Sequence, residues 1–302
     1  MSNIFLYYGE EKYDLESSVQ KIKKTFSNLQ VGVNLYYLNL DNIDELPSLL
    51  QGVTFFGSEK LIIIKNTNLK FNVDLLEDID LDIKVVIIED SIDKRTSEYK
   101  KLSKIAECVE FKHLDDKQMI NYIIQILKKY GITISYDNAL YMQSVCGNDK
   151  TNNINELKKI VIYLGNEKQV TKEIIDKVCS KTLNAKIFDV LNLIVNKNKE
   201  EAIRMLNELL EQKESIVKIY IMLYKQVKQM YMIKLLKEKH ETNIAQILGI
   251  HPYTFKNLSK SCENYNLQKL KSIIYDFVEY DEKTKIGEMD FEIGLKKIIC
   301  NM

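Results

Sequence analysis

The first residues that could do chemistry follow the first predicted strand, Ile-Phe-Leu-Tyr-Tyr at 4–8. In a nucleotide-hydrolysing α/β domain, a glycine-rich loop at this place cradles the phosphates with backbone amides, and a lysine reaches the terminal ones. Counted from Gly9, the second glycine, the lysine and the hydroxyl residue would fall on Asp14, Leu15 and Glu16. Two carboxylates pointed at a triphosphate would repel it. The sequence therefore predicts that this loop does not bind nucleotide.

Acidic residues also follow the apolar stretch predicted as a strand at 84–88, in the form of Glu89 and Asp90. A strand with terminal acids holds magnesium in nucleotide-hydrolysing enzymes, where the ion bridges the protein and the phosphates. Because the phosphate loop is not there, we interpret Glu89 and Asp90 as solvated charges at the end of a strand.

Histidine and cysteine are the usual ligands of transition metals. In this sequence they show no spacing typical of a metal site. The histidines have no cysteine or carboxylate at zinc-ligand spacing, and the widely separated cysteines include no Cys-x-x-Cys pair. An odd number of cysteines that stand far apart suits a reduced cytoplasm. We therefore predict no catalytic site, no bound metal and no cofactor; the residues considered are His113, His240, His251, Cys108, Cys146, Cys179, Cys262 and Cys300.

One motif, at 241–260, is typical of a helix-turn-helix. Gly249 suits the turn, and Pro252 is acceptable at the first position of the second helix. In a DNA-binding protein, three side chains of that helix would face a groove: Tyr253, Thr254 and Lys256. The same geometry is also an ordinary way to fold two short helices, and the chain lacks the net positive charge usual in DNA-binding domains.

An apolar pair, Phe55 and Phe56, stands between Gly52 and Gly57. Flanking glycines favour a loop or an exposed helix end over the interior of a regular element. Aromatic side chains are usually buried, however. The residues alone leave two interpretations open: both rings fold into the core, or they form a surface plug for a partner's pocket.

Composition bounds the class of protein. The 302 residues allow two or three domains, and 45% of them are hydrophobic, which suits a globular protein with a real core. Lys+Arg and Asp+Glu are 43 each, so no global field attracts nucleic acid or an anionic membrane. The amino terminus lacks the pattern of a signal peptide, and no apolar run approaches the length of a membrane span. We expect a soluble protein.

The predicted secondary structure that positions these residues differs between the first part of the chain and the rest. Up to His113, predicted strands alternate with helices, which favours a parallel sheet covered on both faces. After His113 the pattern predicts helices only, first short and then, from Ile187, longer, with a hinge at 180–186. The segment Ser215 to Lys239 is apolar on more than one face, which indicates central burial or a subunit interface.

Several short motifs, in this order and spacing, resemble the delta subunit family of the bacterial DNA polymerase III clamp loader across essentially the whole chain. They are Phe-Leu-Tyr-Tyr-Gly-Glu-Glu at 5–11, Phe-Phe-Gly-Ser-Glu-Lys-Leu at 55–61, Asp-Lys-Arg at 93–95, Tyr-Lys-Lys-Leu at 99–102, Asn-Glu-Leu-Lys-Lys at 155–159, Ile-Phe at 187–188, Leu-Gly-Ile-His-Pro-Tyr at 248–253, Asp281, and Lys-Thr-Lys-Ile-Gly at 283–287.

The resemblance implies three domains: an AAA+-like α/β domain at 1–113 that has lost ATP binding, a small helical lid domain at 114–182, and a helical collar domain at 187–302. The strand Leu61 to Lys65 would stand where active relatives place magnesium-binding acids, and here Lys65 and Asn66 follow instead.

The same resemblance implies a non-catalytic, cytoplasmic subunit of the polymerase III holoenzyme that binds and opens the sliding clamp ring. Its partners would be the clamp, the ATP-binding and delta-prime-like loader subunits, and DNA through the assembled loader, with no membrane. The clamp-binding residues would be Val53, Thr54, Phe55 and Phe56, although many relatives have an aliphatic residue where Phe55 stands. Two alternatives are a helix-turn-helix DNA-binding regulator that uses 241–260 and a nucleotide-independent scaffold for another partner.

Overall fold

The computed structural model describes residues 3–51 and 59–302, and the chain divides into two compact units, Met1–Leu114 and Asp115–Met302. In the first unit, five parallel strands form one sheet in the order β2-β3-β4-β1-β5. The predicted parallel sheet is therefore confirmed. The strands are β1 Ile4–Gly9, β2 Leu35–Leu38, β3 Lys60–Lys65, β4 Ile83–Glu89 and β5 Glu107–Phe111.

Strand β3 is buried on both of its faces, so helices have to pack on both faces of the sheet. Its side chains alternate between two hydrophobic clusters, Leu61 and Ile63 in one, Ile62 and Ile64 in the other, and all four are buried. A strand buried on both faces is apolar on both, and in β3 this holds for the four central residues, Leu61 to Ile64. The helices that cover the sheet are α1 Lys12–Lys23, α2 Leu46–Gln51 and α3 Ser97–Ile105, with 3₁₀ helices at Ile43–Glu45 and Val73–Leu76.

Helix α1 covers one face and the other helices cover the opposite face. Leu15, Val19 and Ile22 of α1 pack with Leu61 and Ile63, whereas Leu46, Val73, Leu76 and Leu102 pack with Ile62 and Ile64. Helix α1 ends at Lys23. Phe26 reaches the same core from the turn that follows the helix, so the helical spacing of apolar residues continues beyond the helix itself.

In the second unit, the expectation of helices alone was wrong. A two-stranded parallel sheet joins β6 Thr133–Ile134 to β7 Gln169–Val170. Strands of two residues carry no periodicity that a sequence pattern could detect. The helices around them are α4 Asp116–Lys129, α5 Tyr136–Cys146, α6 Lys150–Leu164 and α7 Lys172–Val178.

The remaining helices share the largest group of buried side chains in the described chain. The long helix α10 contributes Ile219, Tyr220, Leu223, Val227, Met230 and Ile233 to it, so the central burial considered for this segment is confirmed. Among the described residues, no helix has the length and apolar character needed to cross a membrane. The helices are α8 Leu183–Val195, α9 Lys199–Glu211, α10 Ile216–Glu238, α11 Ile244–Ile247, α12 Pro252–Ser261, α13 Leu267–Lys285 and α14 Phe291–Asn301, with a 3₁₀ helix at Cys262–Asn264.

Part of the hinge predicted at 180–186 is helical, and its role as a hinge stays a prediction. Helix α8 begins at Leu183, and the hydroxyl of Thr182 caps it by accepting from the amide of Ala185 at 3.4 Å. Only residues 179–182 separate α7 from α8. A side-chain cap of this kind starts a helix before its apolar periodicity becomes visible.

Candidate functional site

The predicted clamp-binding residues, Val53, Thr54, Phe55 and Phe56, lie outside the described residues, and their role stays a prediction. What the structure describes is the frame on either side of the segment 52–58. Helix α2 ends at Gln51 on one side, and β3 begins at Lys60 on the other. The segment is thus attached to the amino edge of the parallel sheet, where its strands begin.

Lys60 joins the two sides of this frame. The residue is only 4% exposed, and its Nζ donates to the carbonyl oxygen of Leu49 in α2 at 2.5 Å. Burial disfavours the charged ammonium and lowers the pKa of Lys60 below its ordinary value. A charge-assisted hydrogen bond across the base of a chain segment fixes the separation of its ends.

Asn34 holds the same frame from the β2 side. Its side-chain amide donates to the carbonyl oxygens of Asn28 at 2.8 Å and Glu59 at 3.4 Å, and its Oδ1 accepts from the amide of Gln30 at 2.8 Å. The backbone carbonyl of Asn34 accepts from the amide of Leu61 at 2.8 Å. The residues that immediately follow the 52–58 segment are therefore fixed by bonds to two neighbouring parts of the domain.

Glu89 lies at the opposite, carboxyl edge of the sheet. It was predicted to be solvated, but it is buried. It is 1% exposed, and its carboxylate accepts from the amide and hydroxyl of Thr67 at 3.0 and 2.8 Å and from the amide of Asn68 at 3.1 Å. The prediction failed because these donors come from the loop after β3. Asp90 is exposed, as predicted, and pairs with Lys12 at 2.7 Å.

The loop that surrounds the Glu89 carboxylate has an unusual backbone. Asn66, Asn68 and Leu69 have φ values of 54°, 52° and 55°, a region that is unfavourable for residues other than glycine. Such a conformation persists only when its surroundings enforce it. The buried carboxylate does so here, because it binds successive amides of the loop.

The turn after β1, where a phosphate loop would stand, contains a carboxylate of its own. Glu11 is 3% exposed and caps α1: one carboxylate oxygen accepts from the amide of Tyr13 at 3.3 Å, and the other lies 3.2 Å from Nδ1 of His113. The amino end of a helix attracts anions, and in this turn the chain supplies the anion. Sequence reasoning missed Glu11 because it considered only the positions that define a phosphate loop.

Gly9 serves the packing of the sheet. Its φ is +123°, and a Cβ at this position would lie 2.2 Å from the carbonyl oxygen of Phe111. Only glycine allows β1 and β5 to end this close together. Of the three residues at phosphate-loop positions, Asp14 lies in the first turn of α1, Leu15 is in the core, and Glu16 is exposed.

The residues predicted to face DNA lie on α12. Tyr253 is half-buried, with its ring centroid 5.6 Å from that of Tyr141 on α5, and with Thr254 it lines a cavity of about 210 Å³ bounded by α5, α8 and α12. Lys256 is exposed, and Leu258 on the same helix is buried. The amino end of α12 therefore packs on another helix of the same unit, and DNA contact by these side chains stays a prediction.

Comparisons with known proteins connect these features to one family. The model "DNA polymerase III, delta subunit" matches residues 5–112, and the model "DNA polymerase III delta subunit, C-terminal domain" matches residues 184–302. The chain is 22% identical over 320 residues to "DNA polymerase III subunit delta" of Bacillus subtilis, an alignment that covers 99% of this chain and 92% of that protein.

Two further matches agree. The "Probable DNA polymerase III subunit delta" of Aquifex aeolicus is 22% identical over 310 residues, which covers 95% of this chain and 87% of that protein. The fold is similar to the solved structure of the DNA clamp loader delta protein of Bacillus subtilis, with a TM-score of 0.62, 21% identity, and coverage of 99% of this chain and 95% of that one. Because two models of the same subunit match both ends of the chain and full-length relatives span the region between them, the chain belongs to the DNA polymerase III delta subunit family.

Proposed function

We propose that this chain is the clamp-loader subunit that binds the sliding clamp ring and opens it during DNA replication. The observation that carries the proposal is the frame around 52–58. Lys60 ties β3 to α2, and Asn34 fixes the carbonyl of Glu59, so the segment with Phe55 and Phe56 is anchored at both ends. An anchored segment loses less conformational freedom on binding than a free loop does, which favours affinity.

The apolar pair would supply the binding free energy. Removing two phenylalanine rings from water stabilises a complex by roughly 3–6 kcal/mol, at about 1.5–3 kcal/mol for each large apolar side chain. Val53 and Thr54 would line the same contact. Ring opening then requires that this subunit bind the open clamp more tightly than the closed one, since a ligand shifts an equilibrium only by its differential affinity.

We further propose that the subunit neither binds nor hydrolyses ATP. Three features support this: the Glu11 carboxylate at the start of α1, the acids Asp14 and Glu16 nearby, and the residues Lys65 and Asn66 at the end of β3. Negative charge at this helix terminus opposes the approach of a triphosphate. The catalytic site of the DNA-directed DNA polymerase would then lie in other subunits of the holoenzyme.

The second unit would provide the lid, at 114–182, and the collar, at 187–302. Apolar side chains remain exposed on two collar helices, Val217 and Ile221 on α10 and Tyr275 and Val278 on α13. Exposed aromatic and aliphatic residues favour contact with other proteins. We assign them to the interface with the ATP-binding and delta-prime-like subunits of a cytoplasmic loader, which would bring this chain to DNA.

The decisive experiment measures clamp affinity by calorimetric titration. The double variant Phe55→Ala, Phe56→Ala should raise the dissociation constant roughly 150-fold to 25,000-fold, the equivalent of about 3–6 kcal/mol. Ile162→Ala is the matched control, because Ile162 is an exposed apolar residue of the second unit, 80% accessible, and its loss should leave affinity unchanged. Unaltered clamp binding by a folded double variant would refute the assignment.

A DNA-binding measurement on the isolated chain distinguishes the clamp-loader function from that of a DNA-binding regulator. A regulator would bind duplex DNA alone, with an affinity that falls steeply with salt and is lost in Lys256→Ala. We expect clamp binding without such duplex affinity. Tight duplex binding by the isolated chain, combined with no clamp binding, would favour the regulator.

A further inference from the structure

Three buried side chains able to bind a metal ion converge in the second unit. Cys146 ends α5, Glu156 lies within α6, and Cys179 follows α7. The two sulfur atoms and a carboxylate oxygen of Glu156 all lie within 4.8 Å of one another, and each residue is less than a tenth exposed. The expectation of no metal site considered only spacing along the chain, which separates these residues widely.

We propose that Cys146, Glu156 and Cys179 bind a structural divalent metal ion of the zinc type that joins α5, α6 and the end of α7. Thiolate and carboxylate are both zinc ligands, and structural zinc sites are closed and tetrahedral. With Zn–S bonds of about 2.3 Å, two tetrahedral sulfur ligands stand about 3.8 Å apart, which the observed limit of 4.8 Å accommodates. Glu156 and Lys159 belong to the family motif at 155–159, whereas the two cysteines do not belong to any of the motifs.

The charge of the site selects a divalent ion. A carboxylate oxygen of Glu156 accepts from Nζ of Lys159 at 2.5 Å and from the amide of Ser180 at 3.0 Å. With both thiols protonated, the group is neutral, since the buried Glu156 carboxylate is balanced by the ammonium of Lys159, which lies at the solvent side. A divalent ion displaces two thiol protons and leaves two thiolates, so the group stays neutral. A monovalent ion held by both thiolates, or a trivalent ion in the same place, would leave a net charge in a buried place, which is costly.

We assign the fourth ligand to Asn153. This residue is fully buried one helical turn before Glu156 on α6, so the two side chains share a face. Its amide nitrogen donates to the carbonyl oxygens of Gly147 and Asp149, both at 2.8 Å, which places it next to the residue that follows Cys146. Its Oδ1 has no hydrogen-bond partner among the described residues, an expensive state for a buried acceptor.

The test is titration of the reduced, metal-free full chain with Co²⁺ alone, followed by Zn²⁺. We expect one equivalent of Co²⁺ to give visible d–d bands and a thiolate charge-transfer band, both abolished by Zn²⁺. At a hundredfold excess over its dissociation constant, Zn²⁺ should raise the melting temperature by roughly 5–10 °C. Cys146→Ser and Cys179→Ser should each lose much of the charge-transfer intensity, and Asn153→Ala should weaken Co²⁺ binding roughly tenfold.

The matched control is Cys300→Ser, because Cys300 is exposed and its loss should change neither the spectrum nor the melting temperature. If the buried serine variants do not fold, alkylation of the wild-type chain in moderate urea decides instead: Zn²⁺ should protect Cys146 and Cys179 selectively. The proposal is overturned if the wild-type chain gives no equimolar cobalt complex, if a folded Cys146→Ser variant retains the full charge-transfer band, or if Zn²⁺ protects neither cysteine.

Discussion

Nζ of Lys60 and the carbonyl oxygen of Leu49 lie 2.5 Å apart, and the bond between them links the strand and the helix on either side of 52–58. A buried lysine would be an expensive way to fill space, because desolvation opposes its charge. The bond from Lys60 to Leu49 fixes the two ends of the segment 52–58 relative to each other. The proposed clamp contact can therefore be tested by changing Lys60 while Phe55 and Phe56 are retained.

Lys60→Met keeps the length and the apolar stem of the side chain but removes the donor. We expect clamp affinity to fall roughly threefold to tenfold, because the separation of Leu49 and Lys60, on either side of the segment, is then no longer fixed before binding. Lys65→Met is the matched control, since Lys65 ends the same strand, is exposed, and stands at the other edge of the sheet. Calorimetric titration of both variants distinguishes the outcomes. Equal affinities for wild type and Lys60→Met would show that the bond contributes nothing to clamp binding.

Glu89→Ala should destabilise the first unit by roughly 3–5 kcal/mol, because it leaves the amides of the loop after β3 buried or strained without their acceptor. Glu89→Gln should cost less, about 1–3 kcal/mol, since one carbonyl oxygen remains. The comparison variant is Asp90→Asn, which removes an exposed ion pair and should change stability by under about 1 kcal/mol. Urea unfolding followed by circular dichroism measures all three. A mild effect of Glu89→Ala would mean that the loop keeps its conformation without the carboxylate.

Gln226→Met should stabilise the second unit by roughly 1–3 kcal/mol. Gln226 is buried in α10, and neither its Nε2 nor its Oε1 has a hydrogen-bond partner among the described residues. A methionine of similar shape removes the cost of burying these groups. The thermal and urea midpoints give the measurement. If the variant is less stable than wild type, the amide has a partner in solution, such as an ordered water.

Lowering the pH should reduce the stability of the second unit, because His251 becomes protonated. Its Nε2 lies 2.9 Å from Oε1 of Gln143, and its Nδ1 accepts from the amide of Tyr253 at 3.2 Å, an arrangement that needs the neutral ring. Burial lowers the pKa of His251 below its ordinary value of 6.5, although nearby Asp116 acts in the opposite direction. The unfolded state then binds more protons in this range, so stability falls as the pH drops through 6.5 and below.

The corresponding measurement is the free energy of unfolding at pH 5 and pH 7. The loss on acidification should be smaller in His251→Gln than in wild type. His240→Asn is the control, because His240 is exposed and asparagine tolerates its positive φ of 58°. An unchanged acid sensitivity in His251→Gln would assign the effect to other groups.

The sequence predicted the sheet well because strands such as β3 contain an unbroken apolar run, Leu61 to Ile64, and this property is local. It failed where a residue's environment comes from elsewhere. Glu89 is buried by donors from a loop some twenty positions earlier, and Cys146 meets Cys179 only after α6 and α7 have folded back. The family resemblance located the segment 52–58, but the bonds of Lys60 and Asn34 that hold it had no sequence signal. Strands β6 and β7 were too short to show a pattern.

The Glu11 carboxylate at the start of α1 also bears on how this subunit behaves through a replication cycle. An anion that arrives by diffusion leaves again, so the turn around it alternates between two states as concentrations change. Glu11 is covalently part of the chain, and its local concentration is constant whatever the cell's supply of ATP. We therefore expect this turn to keep one state, so that any timing in the proposed loader would be imposed on this subunit by its neighbours.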